Sequence, residues 1–236
     1  MSTFCFKKFN VDQTGCAMKV NTDGVLLGAL VNGNNAGAIL DIGTGTGVIA
    51  LMLAQRFVKA NINAVELDEA AAQTAEVNFE NSPFTQRLSL HAQSFQDYFK
   101  AHSEREFDLI VSNPPFYIQS LPSPGKKKAM AKHAGDDFFE QLIGSCAKHL
   151  SENGNLWLIL PLSTAALVKQ LAASHQLYLQ QTLSIQSYPH SQPHREILAL
   201  GLHQTELNQQ RLTIYNEPKV YSDDYQFLLK NFLTIF

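Results

Sequence analysis

Ala38-Ile39-Leu40-Asp41-Ile42-Gly43-Thr44-Gly45-Thr46-Gly47 is a short apolar run that breaks into three alternating glycines. It then resumes as an Ala-rich apolar segment from Val48. A buried strand, a tight turn and a helix produce that pattern. Further on, Phe107-Asp108-Leu109-Ile110-Val111-Ser112 is a second apolar run of strand character, and it ends in Asn113-Pro114-Pro115-Phe116. Both loops therefore follow the C-terminal end of a buried strand. In an open parallel α/β sheet that edge binds ligands, at the point where strand order reverses.

Outward from these two stretches the chain alternates strand and helix, which predicts a parallel, doubly wound sheet. Strands are expected over 38–42, 62–66, 88–91 and 107–112. Helices are expected over 48–57, 69–81 (capped by Asp68 and stopped by Ser82-Pro83) and 95–100. The stretch Ser120-Leu121-Pro122-Ser123-Pro124-Gly125-Lys126-Lys127-Lys128 reads as an exposed, mobile loop. Beyond it a helix puts Phe139, Leu142, Cys146 and Leu150 on one face. A strand over 156–160, a helix over 163–175 and two strands over 177–185 and 196–202 follow. A last helix, capped around Ser222-Asp223-Asp224, carries Tyr225, Leu229, Phe232 and Phe236 on one stripe. Ahead of the sheet, Thr22 or Asp23 is the expected cap of a helix beginning at Val25.

The chain has 236 residues, 45% of them apolar, enough for one domain with a substantial core. A net charge of −3 excludes a surface coated with lysine and arginine, though not a local basic patch. Cys5, Cys16 and Cys146 are scattered, with no metal-type spacing, and read as free thiols of a reducing cytoplasm. The first ten residues lack a signal-peptide pattern, and no run approaches the roughly 20 apolar residues of a membrane span. His190 and His194 are four apart in a Pro-flanked stretch, and no metal site is expected there.

The glycine pattern is G-x-G-x-G, whereas a dinucleotide fingerprint is G-x-G-x-x-G. Glu66 ends the second strand, roughly 20 residues on, where a carboxylate can take both ribose hydroxyls. A ligand with a ribose and no pyrophosphate fits this loop, which favours S-adenosylmethionine over a nicotinamide cofactor. The Asn-Pro-Pro-Phe loop suits an amine of low nucleophilicity. The Asn113 side-chain oxygen and the Pro114 carbonyl can accept from its two N–H groups, consecutive prolines hold that backbone rigid, and Phe116 offers a stacking face. No general base of perturbed pKa is required, because orientation supplies most of the catalysis.

Asp41 to Gly47, Val65-Glu66-Leu67-Asp68 and Asn113 to Phe116 resemble the class I S-adenosylmethionine-dependent amino-methyltransferases. More narrowly, Val25 to Gly28, Ala50 to Arg56, Asn81-Ser82-Pro83-Phe84 and four further stretches resemble the bacterial enzymes that methylate the adenosine beside the anticodon of valine tRNA. Those four are Phe4-Cys5-Phe6-Lys7-Lys8-Phe9, Met18-Lys19-Val20-Asn21-Thr22-Asp23-Gly24, Pro193-His194-Arg195 and Tyr221-Ser222-Asp223-Asp224-Tyr225. The resemblance spans the entire chain. It implies one Rossmann-like α/β domain over 1–236, with a seven-stranded mixed sheet whose last strand is antiparallel. An N-terminal extension (1–35) would lie over the cofactor site, and a mobile substrate loop would span 113–133.

It also implies site roles. Asn113, Pro114, Pro115 and Phe116 would hold the target adenine. Thr22, Asp23, Asp41, Gly43, Gly45, Gly47, Glu66, Leu67, Ser94, Phe95 and Asn113 would line the S-adenosylmethionine site. Lys126, Lys127, Lys128, Lys132 and Arg195 would meet tRNA phosphates. This sequence departs from the family at Ser94, where relatives carry an acid, with Asp97 three residues on. It also has Phe116 in place of a common tyrosine and Asn21 in place of a glycine. The expected partner is the anticodon arm of a tRNA, in the cytoplasm, with no membrane and no obligatory protein partner. Two rivals share part of the pattern. One is a glutamine methyltransferase of release factors, which carries a helical N-terminal domain where only about 35 residues precede the first strand here. The other is a catalytically silent scaffold, against which Asn113 and Glu66 argue.

Overall fold

A computed structural model describes residues 3–16, 18–33, 35–115 and 126–236, with backbone alone over 126–136. The N-terminal strands are β1 (Thr3–Cys5) and β2 (Asn10–Asp12), followed by α1 (Thr22–Leu30). The alternating series is β3 (Ala38–Ile42), α2 (Val48–Arg56), β4 (Asn61–Glu66), α3 (Glu69–Glu80), β5 (Leu88–Ala92), α4 (Phe95–Ala101) and β6 (Phe107–Ser112). Then come α5 (Lys126–His149), β7 (Leu150–Leu160), α6 (Leu162–Ser174), β8 (Tyr178–Gln186) and β9 (Arg195–Gly201). The chain closes with β10 (Asn208–Thr213), β11 (Tyr215–Glu217), β12 (Val220–Tyr221) and α7 (Asp223–Leu229).

The main sheet runs β10-β8-β9-β7-β6-β3-β4-β5, and only β9 is antiparallel to its neighbours. It has eight strands rather than the expected seven. The extra one, β10, pairs in parallel with β8 through Asn208-Gln209-Gln210-Arg211-Leu212-Thr213. A polar edge strand carries no apolar alternation, so its sequence does not announce it. The chain steps outward from β3 to β4 and β5, then returns to pair β6 on the other flank of β3. That reversal opens a cleft between the C-terminal ends of β3 and β6, at the glycine loop and Asn113.

Side chains of alternate strand residues feed two apolar layers. Ile39, Leu109 and Trp157 pack with α1, α2 and α7 on one face. Leu40, Ile110, Leu156 and Leu158 pack with α4, α5 and α6 on the other. Phe139, Leu142 and Cys146 form the buried stripe of α5 as their spacing predicts, whereas Leu150, expected on the same face, is the first residue of β7. That helix begins at Lys126, inside the stretch expected to be a loop as far as 133. Lys126 to Lys132 is rich in Lys, Ala and Met, which are good helix formers, unlike the Pro, Gly and Ser before them. Residues 116–125, the remainder of the expected loop, lie outside the described residues.

One buried amide ties the N-terminal strands to the ligand edge. Asn78 of α3 accepts the Asp12 N–H at 2.7 Å and donates to the carbonyls of Asp12 and Thr46, both at 2.9 Å. Replacing Asn78 by Leu leaves two carbonyls and one N–H buried without partners. We expect a loss of about 2–4 kcal/mol in urea unfolding with an unchanged m-value.

Candidate active site

The glycine loop is built by hydrogen bonds from its own amides. Gly43 N–H and Thr44 N–H both donate to the Val65 carbonyl, at 2.8 and 3.1 Å. Gly43, Gly45 and Gly47 have φ of 72°, 56° and 81°, a region that glycine enters without strain. At Gly47 a Cβ would also stand 2.5 Å from the Phe79 ring. At Gly43 and Gly45 a Cβ would meet nothing within 4 Å. Those two positions leave an open cradle of bare backbone at the N-terminus of α2, suited to close approach of a ligand.

Two carboxylates hold this loop, Glu66 at the cavity wall and Asp41 buried beneath it. Glu66 accepts the Gly45 N–H at 2.8 Å through Oε2 and the Asp68 N–H at 2.9 Å through Oε1. Asp41 is fully buried in β3, and its Oδ2 accepts the Thr44 hydroxyl at 2.6 Å. Burial pushes the Asp41 carboxyl up to about 7; the Thr44 hydroxyl and the Ala50 amide pull it down, and the Glu66 charge adds to the rise. Four buried side-chain polar atoms among the described residues lack a hydrogen-bond partner, and two of them, Asp41 Oδ1 and Asn113 Oδ1, belong to this site. Buried acceptors without donors are costly unless a ligand satisfies them.

Asn113 leaves β6 on the wall of two cavities, and its neighbours Ser112, Pro114 and Pro115 border another. The smallest, about 40 Å³, lies between the glycine loop and Lys19, Asn21, Gly24 and Asn113. A second, about 500 Å³, runs past Gly43, Glu66, Leu67, Ser94, Phe95 and the two prolines. A third, about 460 Å³, opens on the opposite side of Asn113 and is bordered by Thr22, Asp23, His194, Arg195 and Tyr215. The largest cavity, about 890 Å³, touches neither loop; Lys7, Arg56, Arg211 and Lys230 are among its walls. Gln55, whose Oε1 is a third unpartnered acceptor, borders it, but the open backbone of Gly43 and Gly45 and the Asn113 acceptor lie elsewhere, so size alone does not make it the reaction site.

The fold brings Asp41, Gly43, Gly45, Glu66, Leu67, Ser94, Phe95, Asn113, Pro114 and Pro115 to one edge. Gly47 shapes the turn and caps α2. Thr22 and Asp23 border the third cavity and none of the glycine-loop walls. Neither caps α1: the cap is Asn21, which accepts the Gly24 N–H at 2.9 Å. That frees Asp23 to pair with Arg195 at 2.7 Å. The Ser94 hydroxyl caps α4, accepting the Asp97 N–H at 3.0 Å and donating to the Asp97 carboxylate at 2.6 Å. Asp97 is not among the walls of the cavity that Ser94 borders. Phe116 lies outside the described residues, as do the side chains of Lys126, Lys127, Lys128 and Lys132.

Sequence reading missed Thr44, Asn78 and Ser112. Thr44 orients Asp41, and its only signal is the three-residue spacing from the acid. Ser112 donates to the Ile42 carbonyl at 2.8 Å, stitching the ends of β3 and β6 beside the cavity. Its hydroxyl reads from sequence as an ordinary strand end.

The model of the family described as "Methyltransferase small domain" matches residues 16–172. The chain is 46% identical over 235 residues to a tRNA1(Val) (adenine(37)-N6)-methyltransferase of Pedobacter heparinus, covering 100% of this chain and 99% of the relative. It is 41% identical to the Flavobacterium psychrophilum protein of the same name, covering 97% and 98%. Among solved structures, a predicted O-methyltransferase from Agrobacterium tumefaciens superposes with a TM-score of 0.70 at 16% identity, over 89% of this chain and 96% of that one. A Pyrococcus furiosus methyltransferase gives 0.56 at 23%, over 81% and 91%. These two share the fold. A domain match over residues 16–172 and full-length relatives at this identity establish that the chain belongs to the methyltransferase small-domain family, among the bacterial tRNA1(Val) (adenine(37)-N6)-methyltransferases.

Proposed function

We propose that this chain methylates the exocyclic N6 amine of adenosine 37, beside the anticodon of valine tRNA, with S-adenosylmethionine as donor. The observation that carries the reading is the Asn113 side-chain oxygen, buried and unpartnered where the glycine-loop cavity meets the cavity of Asp23 and Arg195. The names of the full-length relatives supply the tRNA and the position. The reading carries with it a cytoplasmic setting, where tRNA is found.

The residues present suit the donor. The open backbone at Gly43 and Gly45 and the unpartnered Asp41 Oδ1 suit its methionine part, whose ammonium would satisfy the buried acid. Glu66 suits the ribose hydroxyls, and Leu67 with Phe95 suits the flat adenine. When bound, S-adenosylmethionine supplies an electrophilic sulfonium methyl. Asn113 Oδ1 and the Pro114 carbonyl accept from the two N–H groups of the target amine. They localise its lone pair and aim it, and the proton leaves once the nitrogen has become acidic. Phe116 stacks on the target adenine, while Arg195 and the lysines at 126, 127, 128 and 132 meet RNA phosphates.

Asn113→Ala removes an acceptor that acts mainly as the bond forms. We expect single-turnover methylation of unmodified valine tRNA to slow by roughly 10²–10³, with cofactor affinity within twofold of wild type. Turnover at the wild-type rate contradicts this mechanism, and methyl groups found on a glutamine peptide rather than on N6 contradict the substrate.

For Glu66→Ala, calorimetry should show the dissociation constant for S-adenosylmethionine raised about 10- to 100-fold, or roughly 1.5–3 kcal/mol. Glu66→Gln, which can still accept the Gly45 N–H, should lose less.

Asp41 gives a pH signature. Its value in the folded chain, about 7, lies above the ordinary 3.8, so the folded state holds a proton that the unfolded state has released. The stability tied to that proton is complete below about 4 and is lost as pH rises to about 7. A cationic ammonium beside Asp41 favours the carboxylate. Donor binding at pH 7 should therefore release up to about half a proton per chain, and Asp41→Asn should abolish the release. Calorimetry in two buffers of different ionisation enthalpy measures it.

A further inference from the structure

A ladder of tyrosine rings leads from the core to the mouth of the cavity beside Asn113. Tyr225 is buried, at 6% exposure, and its ring stacks on Tyr221 at 5.1 Å and 7°. Tyr221 stacks on Tyr215 at 4.8 Å and 26°, and Tyr215 meets Tyr188 at 5.7 Å and 33°. Tyr215 borders the cavity with Asn113, His194 and Arg195. Tyr188 ends the ladder at 38% exposure and, unlike Tyr215, Tyr221 and Tyr225, packs against neither apolar layer.

A lone exposed tyrosine is ordinary. This one is held in place. Its N–H donates to the Ser191 hydroxyl at 2.9 Å, and its carbonyl accepts the Ser191 N–H at 3.0 Å. Gln186 reaches the Pro189 carbonyl at 3.3 Å, and the Tyr215 N–H donates to the Ser187 carbonyl at 2.9 Å. The ring therefore needs little ordering before it can receive a planar partner, and the stack behind it fixes its plane. Single-stranded RNA loops are recognised by such aromatic faces, and a base drawn out of its stack exposes the faces of its neighbours.

We propose that Tyr188, backed by Tyr215, seats the base that flanks the target adenosine once the target has been drawn toward Asn113. This rests on the tRNA-methylating reading above and deepens it by assigning a second base site at the same edge. The cation for the adjoining backbone phosphate is Arg195, already aligned by Asp23 at 2.7 Å.

The test uses the whole protein and valine tRNA assembled with a single abasic nucleotide on one or the other side of the target. With intact tRNA, Tyr188→Ala should raise the RNA concentration for half-maximal rate about 10-fold, while Tyr188→Phe behaves as wild type. The rate at saturating RNA, the affinity for S-adenosylmethionine and the thermal midpoint should not change. One of the two abasic tRNAs should weaken wild type by a similar factor and weaken Tyr188→Ala no further. The proposal is overturned if Tyr188→Ala needs no more RNA than wild type, if Tyr188→Phe is as impaired as Tyr188→Ala, or if the abasic loss persists in full without the ring. Failure of wild type to methylate intact tRNA at N6 would overturn the underlying reading instead, so the two failures are distinct.

Discussion

Two amides of the glycine loop, Gly43 N–H and Thr44 N–H, share one acceptor, the Val65 carbonyl at the end of β4. That carbonyl lies next in the chain to Glu66, whose carboxylate takes the following loop amide, Gly45 N–H. Three successive donors are thus consumed by two successive residues of the neighbouring strand. The loop must bend left-handed to present them, which is why all three glycines have positive φ. Once pinned, the loop cannot collapse over the cradle, and Asp41 below it stays sealed from water. The raised affinity of Asp41 for its proton follows from that seal more than from any neighbouring charge.

The pin is braced from outside the sheet. Asn78 connects the Thr46 carbonyl to both backbone groups of Asp12, and Thr74 donates to the Thr14 carbonyl at 2.6 Å. The N-terminal segment therefore takes part in the geometry of the glycine loop although, among the described residues, it pairs with no strand of the main sheet. On its far side, Lys7 donates to the carbonyls of Lys230 and Phe236, both at 2.6 Å, joining the two ends of the chain. These bonds link residues far apart in sequence, so they act only when the whole fold is assembled.

The strands over 38–42 and 107–112 were legible to the residue, because a buried parallel strand is a continuous apolar run bounded by turn signals. The stop at Ser82-Pro83 and the cap at Asp68 were legible because capping chemistry is local. The cap of α1 was misread by one residue: Asn21, Thr22 and Asp23 are all competent caps, but Asp23 is held by Arg195, 172 residues away, and Asn21 caps the helix. β10 and the β11–β12 pair were invisible, since their exposed residues alternate in no apolar pattern. Residues whose chemistry is written in a motif could be singled out from sequence, and the fold brings the described ones to one edge. Thr44, Asn78 and Ser112 could not, because each matters through a bond to another residue's backbone or carboxylate and not through a reactive group of its own.

The single antiparallel strand explains why the proposed RNA side forms where it does. In a wholly parallel sheet only strand C-terminal ends reach the ligand edge, which is where Asn113 leaves β6 and Glu66 leaves β4. β9 runs the other way, so its first residue, Arg195, arrives at that edge beside Asp23 at the start of α1. β10 then returns parallel to β8 and delivers Tyr215 to the same edge, beside Ser187 at the end of β8. The glycine-loop half of the cleft is thus made of bare backbone with Glu66 at its wall, around β3 and β4. The other half is lined by side chains from the start of α1, the end of β8, the start of β9 and the segment that follows β10. Asn113 stands between them, one amide bordering both the glycine-loop cavity and the cavity of Asp23 and Arg195.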